Sequence, residues 1–523
     1  MQEKGKNDFL KGTISISISV IITKILGVLF KVPLSYVLGD EGMGYFNSAY
    51  AIYGFFYILC TSGVPKSLTL VLSEYKSVRE GQSDTQAIAK YGLKLFGKIG
   101  LIATLFNITC APMLARVIGN NGALLSLYAV APSILFVSLS GALRGYLNSD
   151  ERLGSIAVSQ LAEASVKLAA GLAIAFVGVR IGAPIYVISA LAISGITLGS
   201  IVSFTYMHIV AFYHKKNDKS RQKYRIDRRE VRKQLLKNAL PIAVSSSLLN
   251  LSSTLDLMII IRQLVSTGSS VAYANAIYGN YTTLAVPMFN LVISVLTPVA
   301  TSYMPKLSDL SFRKDREGFT SALNQLLCVT LLISVPATLS FYFYSFDLLD
   351  VLFSSQSSAI GAELLICLSL GICFLSALTV INTALESQGR VIATVISLML
   401  GCIVKLISSY VLIGMSDIGI LGAPISTVLS YAVSLCVSLI ALESAGVKTY
   451  ALIKAAVMMS VGAVAFYLPY RLIYSASLAG NMFTSMAVSL ILSMVAYIAI
   501  IAILFYLLFK RRQNAQKNSF EIS

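Results

Sequence analysis

Fourteen stretches of about 20 or more predominantly apolar residues follow one another along the chain, separated by short hydrophilic breaks. They lie near 9–38, 43–72, 91–118, 122–147, 154–178, 184–213, 236–265, 271–305, 318–345, 359–386, 391–414, 420–443, 451–474 and 482–509. Stretches of this length match the hydrocarbon thickness of a bilayer at the rise of an α-helix. A backbone in hydrocarbon must satisfy its own hydrogen bonds, so each stretch is read as one membrane-spanning helix. Only 12% of the residues are charged and the mean hydropathy is +0.77. That charged fraction is about half the roughly 25% of soluble domains and excludes a soluble globule. The expected fold is an all-α integral membrane protein of about fourteen transmembrane helices.

The net charge of +17 would point to nucleic acid in a soluble protein. Here most Lys and Arg fall in the breaks between spans. With the N-terminus in the cytoplasm, about 32 of the 41 basic residues lie on the cytoplasmic side and about four outside. The remaining five, Lys24, Lys31, Lys66, Lys167 and Lys405, lie within spans. The stretch from Lys215 to Lys237 alone holds eleven basic and three acidic residues. It reads as a solvated cytoplasmic connector beside anionic headgroups. Both termini are expected in the cytoplasm, and the early lysines followed by an apolar run are read as a retained first span. The seven cysteines all lie in apolar runs without C-x-x-C spacing, so neither a disulfide framework nor a zinc site is expected.

The chain also repeats itself. Ser149-Asp150-Glu151-Arg152 and Val166-Lys167-Leu168 return 238 residues later as Ser387-Gln388-Gly389-Arg390 and Val404-Lys405-Leu406. Gly182-Ala183-Pro184-Ile185 returns as Gly422-Ala423-Pro424-Ile425, and Ala51-Ile52-Tyr53-Gly54 as Ala276-Ile277-Tyr278-Gly279. The collinearity of these matches marks a duplicated six-span half, as in transporters built from repeats. Both copies begin on the same side, so they are parallel repeats. The expected organisation is an N-lobe over 1–214, a basic loop over 215–235, a C-lobe over 236–445, and two extra spans with a basic tail over 446–523. The site is expected in a central cavity between the lobes.

Ionisable side chains within spans cost on the order of 3 kcal/mol each on insertion scales, so they are the leading site candidates. Ser17, Lys24 and Lys31 recur every seven residues and share one stripe of the first span. Lys24 falls near mid-membrane, with Lys31 about 10 Å further outward. Lys66 follows Pro65, which can bend the second span. Arg144 ends the fourth span and carries a planar fork suited to phosphate. Glu163 and Lys167 stand four apart, in the favourable order for an ion pair on one helix. Lys405 matches Lys167, whereas Gly401 matches Glu163. Asp256 and Arg262 lie in the outer half of the seventh span, with Asn250 near its centre, and Asp256 is placed to pair with a lysine of the first span. This cationic set suits an anionic ligand; it lacks the oxygen donors of a sodium or metal site. No G-x-x-x-x-G-K-[ST] loop is present to bind ATP, and no cofactor is expected.

Phe9-Leu10-Lys11-Gly12-Thr13, Thr23-Lys24-Ile25-Leu26-Gly27, Gly39-Asp40-Glu41-Gly42 and Gly63-Val64-Pro65 resemble the opening of the stage V sporulation protein B family, related to the MurJ lipid II flippases. Leu143-Arg144-Gly145-Tyr146 with Ser159-Gln160-x-x-Glu163 looks like a second motif of that family. The span plan is similar to the multidrug/oligosaccharidyl-lipid/polysaccharide exporter (MOP) superfamily. The resemblance implies two lobes in a V, alternating access, and an undecaprenyl-linked sugar such as lipid II carried from the inner to the outer leaflet. It also implies a lipid-tail groove formed by the last two spans. MurJ proteins carry S-R-x-L-G where this chain has Thr23-Lys24-Ile25-Leu26-Gly27, which keeps the charge without the bidentate fork.

The expected function is therefore a lipid-linked oligosaccharide flippase of the bacterial cytoplasmic membrane, serving cell-wall or spore-cortex peptidoglycan, and not an enzyme. Lys24, Lys31, Lys66, Arg144 and Arg262 are the substrate-binding candidates; Glu163, Lys167 and Asp256 are candidates for coupling or ion pairing. Expected partners are the undecaprenyl-pyrophosphate sugar, the bilayer and cell-wall synthesis enzymes, without nucleic acid. An exporter of another polyprenyl-linked unit, a multidrug exporter and a membrane scaffold are the alternatives; the multidrug reading would call for an acidic cavity.

Overall fold

The computed structural model describes residues 2–78, 85–150, 152–217, 227–353, 358–447, 449, 451–474 and 482–521, without the side chains of segments that include 2–18, 244–253 and 504–521. Among these residues the chain is helical, with no strand. The helices are α1 (Gln2–Ile58), α2 (Val64–Val78), α3 (Thr85–Ile118), α4 (Leu124–Ser149), α5 (Leu153–Arg180), α6 (Ile185–Asn217), α7 (Arg228–Ser266) and α8 (Val271–Asn280). They continue as α9 (Val286–Ser302), α10 (Met304–Phe312), α11 (Arg316–Phe353), α12 (Ser358–Ser387), α13 (Val391–Ile413), α14 (Gly422–Glu443), α15 (Ala451–Pro469) and α16 (Met482–Glu521).

Eleven apolar stretches among the described residues are long enough to cross a membrane. One of them, Ile22–Leu72, runs for 51 residues, far more than the roughly 20 that a bilayer needs. It contains two of the expected spans, divided at Gly39, whose φ of 60° and ψ of −175° break the helix. A side chain there would strain the backbone, which makes glycine the fitting residue. The seventh expected span is α7, and the thirteenth is the shorter apolar stretch Val457–Leu472. The fourteen spans read from the sequence are thus accounted for.

Two compact units divide the chain: Met1–Thr283 with Cys402–Ser426, and Leu284–Gly401 with Thr427–Ser523. In the first unit, helix contacts rest on small residues that let backbones approach, the usual device where lipid offers no hydrophobic drive between helices. A Cβ on Gly141 or Gly145 would stand 2.7 Å from the carbonyl oxygen of Cys60 or Pro65, so α4 lies directly against the α1–α2 junction. A Cβ on Gly199 would stand 2.6 Å from the Glu163 carbonyl oxygen, and one on Gly195 would stand 2.9 Å from that of Lys167. That spacing seats α6 on α5. On α3 the inward face is Gly100, Thr104, Asn107, Ala111 and Ala115, while Ile102, Phe106 and Met113 point out. Small and polar residues inside with large apolar ones outside is the pattern of a helix bathed in hydrocarbon.

The second unit has its own cores. Leu323, Leu326, Leu327, Leu378, Ile381 and Leu385 pack α11 against α12. Phe466 of α15 and Tyr497 of α16 join Leu331 and Val335 of α11 in another cluster.

The duplication carries into local geometry. Five-residue π-helical segments, Leu59–Gly63 and Tyr281–Ala285, follow the two Ala-Ile-Tyr-Gly copies, and Val-Pro follows each segment at 64–65 and 286–287. Proline cannot donate a backbone N–H, so the widened turn before it leaves a carbonyl free for an outside donor.

Candidate functional site

Within the first unit, two lysines meet around one ring. Gly171 of α5 has no side chain, and a Cβ there would stand 2.8 Å from Cε2 of Phe30. This close approach to α1 sets Lys167, one turn earlier on α5, with its Nζ 5.4 Å from the Phe30 ring centroid and 4.8 Å from that of Tyr50. The Nζ of Lys31 lies 5.8 Å from the same Tyr50 ring. All three are cation–π distances. Phe46, Tyr50, Tyr53 and Tyr57 form a ladder along α1, with neighbouring ring centroids 6.0, 5.9 and 5.5 Å apart. Their spacing of four, three and four residues is a helical stripe that the sequence displays and charge-led reading passed over.

Lys31 is held by the π segment that follows α8 and by α1 itself. Its Nζ donates to the Thr282 carbonyl at 2.8 Å and to Asn47 Oδ1 at 3.3 Å. Asn47 Nδ2 donates in turn to Thr283 Oγ1 at 2.8 Å. Pro287 explains why the carbonyl is available: in the i to i+5 pattern of the π segment it is the residue that would have donated to Thr282. All of these partners of Lys31 are neutral.

The two carboxylates singled out in the sequence, Glu163 and Asp256, are already engaged. Glu163, expected to pair with Lys167 one turn on, is instead 2.8 Å from Arg144 Nη2. Arg144 is buried on α4 and also donates to Ser203 Oγ of α6 at 3.3 Å. The short approach at Gly199 brings α6 close enough for that second contact. A guanidinium presents several donors at fixed angles and satisfies a buried carboxylate better than an ammonium on the same helix. Arg144, a substrate-binding candidate by sequence, therefore sits in a structural ion pair.

Asp256, expected to face a first-span lysine, pairs with Lys405 of α13 at 3.1 Å. Ser409 donates to its other oxygen at 2.6 Å, and Ser409 and Ser426 are 2.9 Å apart. In the second unit, Asn382 stands 238 residues after Arg144 and accepts from Ser438 at 2.8 Å. A neutral contact there takes the place of the first copy's ion pair.

Lys24, Lys66 and Arg262 are exposed and make no hydrogen bond or ion pair to another described residue. The structure does not bring Lys66 or Arg262 to the Tyr50 cluster. The side chains of Ser17 and Asn250 lie outside the described residues, as do residues 218–226 of the basic loop. Among the described residues no group of three His, Cys, Asp or Glu side chains could hold a metal. All seven cysteines are free. The remaining chemistry is that of ammonium groups with aromatic, amide and hydroxyl neighbours, which is suited to receiving an anion.

The family "Polysaccharide biosynthesis protein" matches residues 9–311, and the MatE family matches 241–411. Stage V sporulation protein B of Bacillus subtilis (strain 168) is 24% identical over 502 residues, covering 94% of this chain and 96% of that protein. Lipid II flippase MurJ of the same organism is 23% identical, covering 86% of each chain. Among solved structures, a lipid II flippase MurJ in an inward closed conformation superposes with a TM-score of 0.74 at 17% identity, covering 95% of this chain and all of that one. An inward-facing MATE multidrug transporter gives 0.63 at 13% identity, covering 85% of this chain and 98% of that one. These superpositions bear on the fold, and the family match spans more than half of the chain. The chain belongs to the polysaccharide biosynthesis protein family, and along most of its length it is similar to the stage V sporulation protein B and MurJ proteins.

Proposed function

We propose that this chain is a flippase that carries an undecaprenyl-pyrophosphate-linked oligosaccharide, lipid II first among the candidates, from the inner to the outer leaflet of a bacterial cytoplasmic membrane. The observation that carries the reading is the balance of membrane-embedded charge. Glu163 and Asp256 are consumed by Arg144 and Lys405, whereas Lys24, Lys31 and Lys167 have no carboxylate partner among the described residues. An uncancelled positive charge in hydrocarbon favours an anionic cargo. A carrier of cationic drugs would need the reverse, a free carboxylate facing the cargo.

On this reading the pyrophosphate meets the lysines while the polyprenyl tail stays in lipid. Lys24, exposed on α1, is the group that first meets the headgroup. Lys66 and Arg262 remain candidates for contacts along the path. The basic loop and tail favour cytoplasmic termini. No ATP is required: carrying about two negative charges outward across an inside-negative potential yields on the order of 4–5 kcal/mol per 100 mV. Proteoliposomes loaded with a fluorescent polyprenyl-pyrophosphate sugar test the reading. Wild-type protein should expose the sugar to the opposite leaflet and Lys24→Ala should not, with the fold intact by circular dichroism; equal rates would sink the assignment of Lys24. Complementation of a flippase-depleted bacterium separates lipid II from other polyprenyl-linked units.

A further inference from the structure

One outward face of α3 carries a line of charge. Lys90, Lys94 and Lys98 are exposed and stand four residues apart, so they climb one side of the helix over about 12 Å. Leu101 and Leu105, 46% and 53% exposed, continue the same face, while Ile88, Gly92, Phe96 and Gly100 are buried on the other. α3 contains no Asp or Glu, and the three lysines make no hydrogen bond or ion pair to another described residue.

The length of α3 sets their depth. Its 34 residues exceed the roughly 20 that hydrocarbon needs. With Arg116, exposed in the last turn, at the outer boundary, the inner boundary falls beside Lys98. Lys94 is then about 6 Å further down, within the headgroup layer, and Lys90 about 12 Å down, at its water edge. α7 adds charge at the same end. Its Val231 and Leu235 join Ile88 and Phe96 in one apolar cluster, and its Arg229, Arg232, Lys233 and Lys237 are exposed. Glu230 is the one acid between Arg228 and Lys237.

The duplication supplies an internal control. α11 is the third span of the later copy, as α3 is of the earlier. At the same end it presents Glu317, Ser321 and Gln325, also exposed and four apart, 227 residues after the lysines. The fold therefore does not require the lysine line. Orientation in the membrane asks for basic residues in the loops, not for a line of them climbing a lipid-facing helix.

We propose that this face of α3, with the adjoining end of α7, seats an anionic phospholipid of the leaflet that the basic loop faces. Lys94 and Lys98 take the phosphate, Lys90 lies against the outer part of the headgroup, and an acyl chain runs along Leu101 and Leu105. Charge complementarity selects the occupant: ammonium groups stand at headgroup height, apolar surface stands directly above them, and no carboxylate of α3 intervenes. A basic side chain beside an anionic membrane surface strengthens the attraction by about fivefold. The lipid is a resident of the surface and not the cargo, so the seat stands apart from the flippase reading.

The test uses full-length protein in phosphatidylcholine nanodiscs doped with a photoactivatable phosphatidylglycerol or, separately, a photoactivatable phosphatidylcholine, with the labelled peptides mapped. Wild type is expected to take about tenfold more label between Lys98 and Phe106 from the anionic probe, and less of it as salt rises. The triple variant Lys90→Gln, Lys94→Gln and Lys98→Gln is expected to fold, since no described residue bonds to these side chains, and to lose at least fivefold of that preference. The reciprocal variant Glu317→Lys, Ser321→Lys and Gln325→Lys should acquire anionic label on α11. Equal labelling of wild type by the two probes overturns the seat. An undiminished preference in the folded triple variant also overturns it and leaves the lysines to an acidic polypeptide. Should the triple variant fail to fold, the reciprocal variant decides, and absence of new label on α11 overturns the seat. Displacement of the anionic probe by an equimolar polyprenyl diphosphate would make the line a contact for cargo and overturn the resident lipid.

Discussion

Asp256 and Lys405 meet at 3.1 Å with side chains only 5% and 12% exposed, the carboxylate taking a further hydrogen bond of 2.6 Å from Ser409. Removing one partner strands the other charge in a poorly solvated interior, which costs about 3–5 kcal/mol. Asp256→Ala and Lys405→Ala should each lower the unfolding temperature in detergent sharply. The double variant Asp256→Leu with Lys405→Met removes both charges at similar volume and should recover most of that loss. A double variant no more stable than the singles would show that the pair is not the unit of stability.

Arg144 separates a structural from a binding role in the same way. Its contacts to Glu163 at 2.8 Å and Ser203 at 3.3 Å hold α4, α5 and α6 together. Arg144→Ala should destabilise by about 3–5 kcal/mol, and Arg144→Lys should also destabilise because an ammonium does not reproduce the fork. Arg144→Leu combined with Glu163→Leu should restore the fold and retain transport of a lipid-linked sugar. Restored folding with abolished transport would return Arg144 to the cargo.

These pairs also show what could be read from the sequence and why the rest was not legible. The spans were legible because hydrocarbon demands long apolar helices, whereas the nine-residue α10, which carries Lys306 and Asp309, lies outside that demand. The duplication was legible in the collinear copies. Glu163 and Lys167 were expected to pair because spacing on one helix is visible in sequence, whereas Arg144 comes from another helix, α4, and the close approach of α6 that adds Ser203 depends on Gly199 acting across helices. Asp256 was expected to face a first-span lysine for the same reason: a charge is legible in sequence, its partner on another helix is not. The missed Tyr50 ladder is a different case, since its stripe was in plain view.

The membrane potential gives a prediction for transport. If the lysines stay in place while a cargo of about two negative charges crosses, an inside-negative potential of 100 mV favours outward movement by on the order of 4–5 kcal/mol. Proteoliposomes clamped with valinomycin and a potassium gradient should accumulate the sugar on the positive side. The bias should reverse when the gradient is reversed. Accumulation indifferent to the sign of the potential would show that the lysines carry compensating charge across with the cargo, or that an ion gradient drives the step.

Pro287 supplies the last prediction. The Thr282 carbonyl accepts from Lys31 at 2.8 Å, and Pro287, five residues on, has no N–H to give it. Pro287→Ala restores a backbone donor to the turn that surrounds Thr282, so Lys31 competes for an acceptor that it now holds unopposed. A hydrogen bond involving a charged group is worth about 1.5–3 kcal/mol, and partial loss of this one frees the ammonium for an anion. If Lys31 and Lys167 seat a diphosphate, Pro287→Ala should bind inorganic pyrophosphate a few-fold more tightly than wild type, and the gain should vanish in the Lys31→Gln background. Since Lys31 also ties α1 to the π segment from which the chain passes into the second unit, the same variant should increase hydrogen exchange across 281–285. Tighter binding without increased exchange would assign the effect to the ammonium alone, whereas increased exchange with weaker binding would mean that the Thr282 contact positions Lys31 for the anion instead of restraining it.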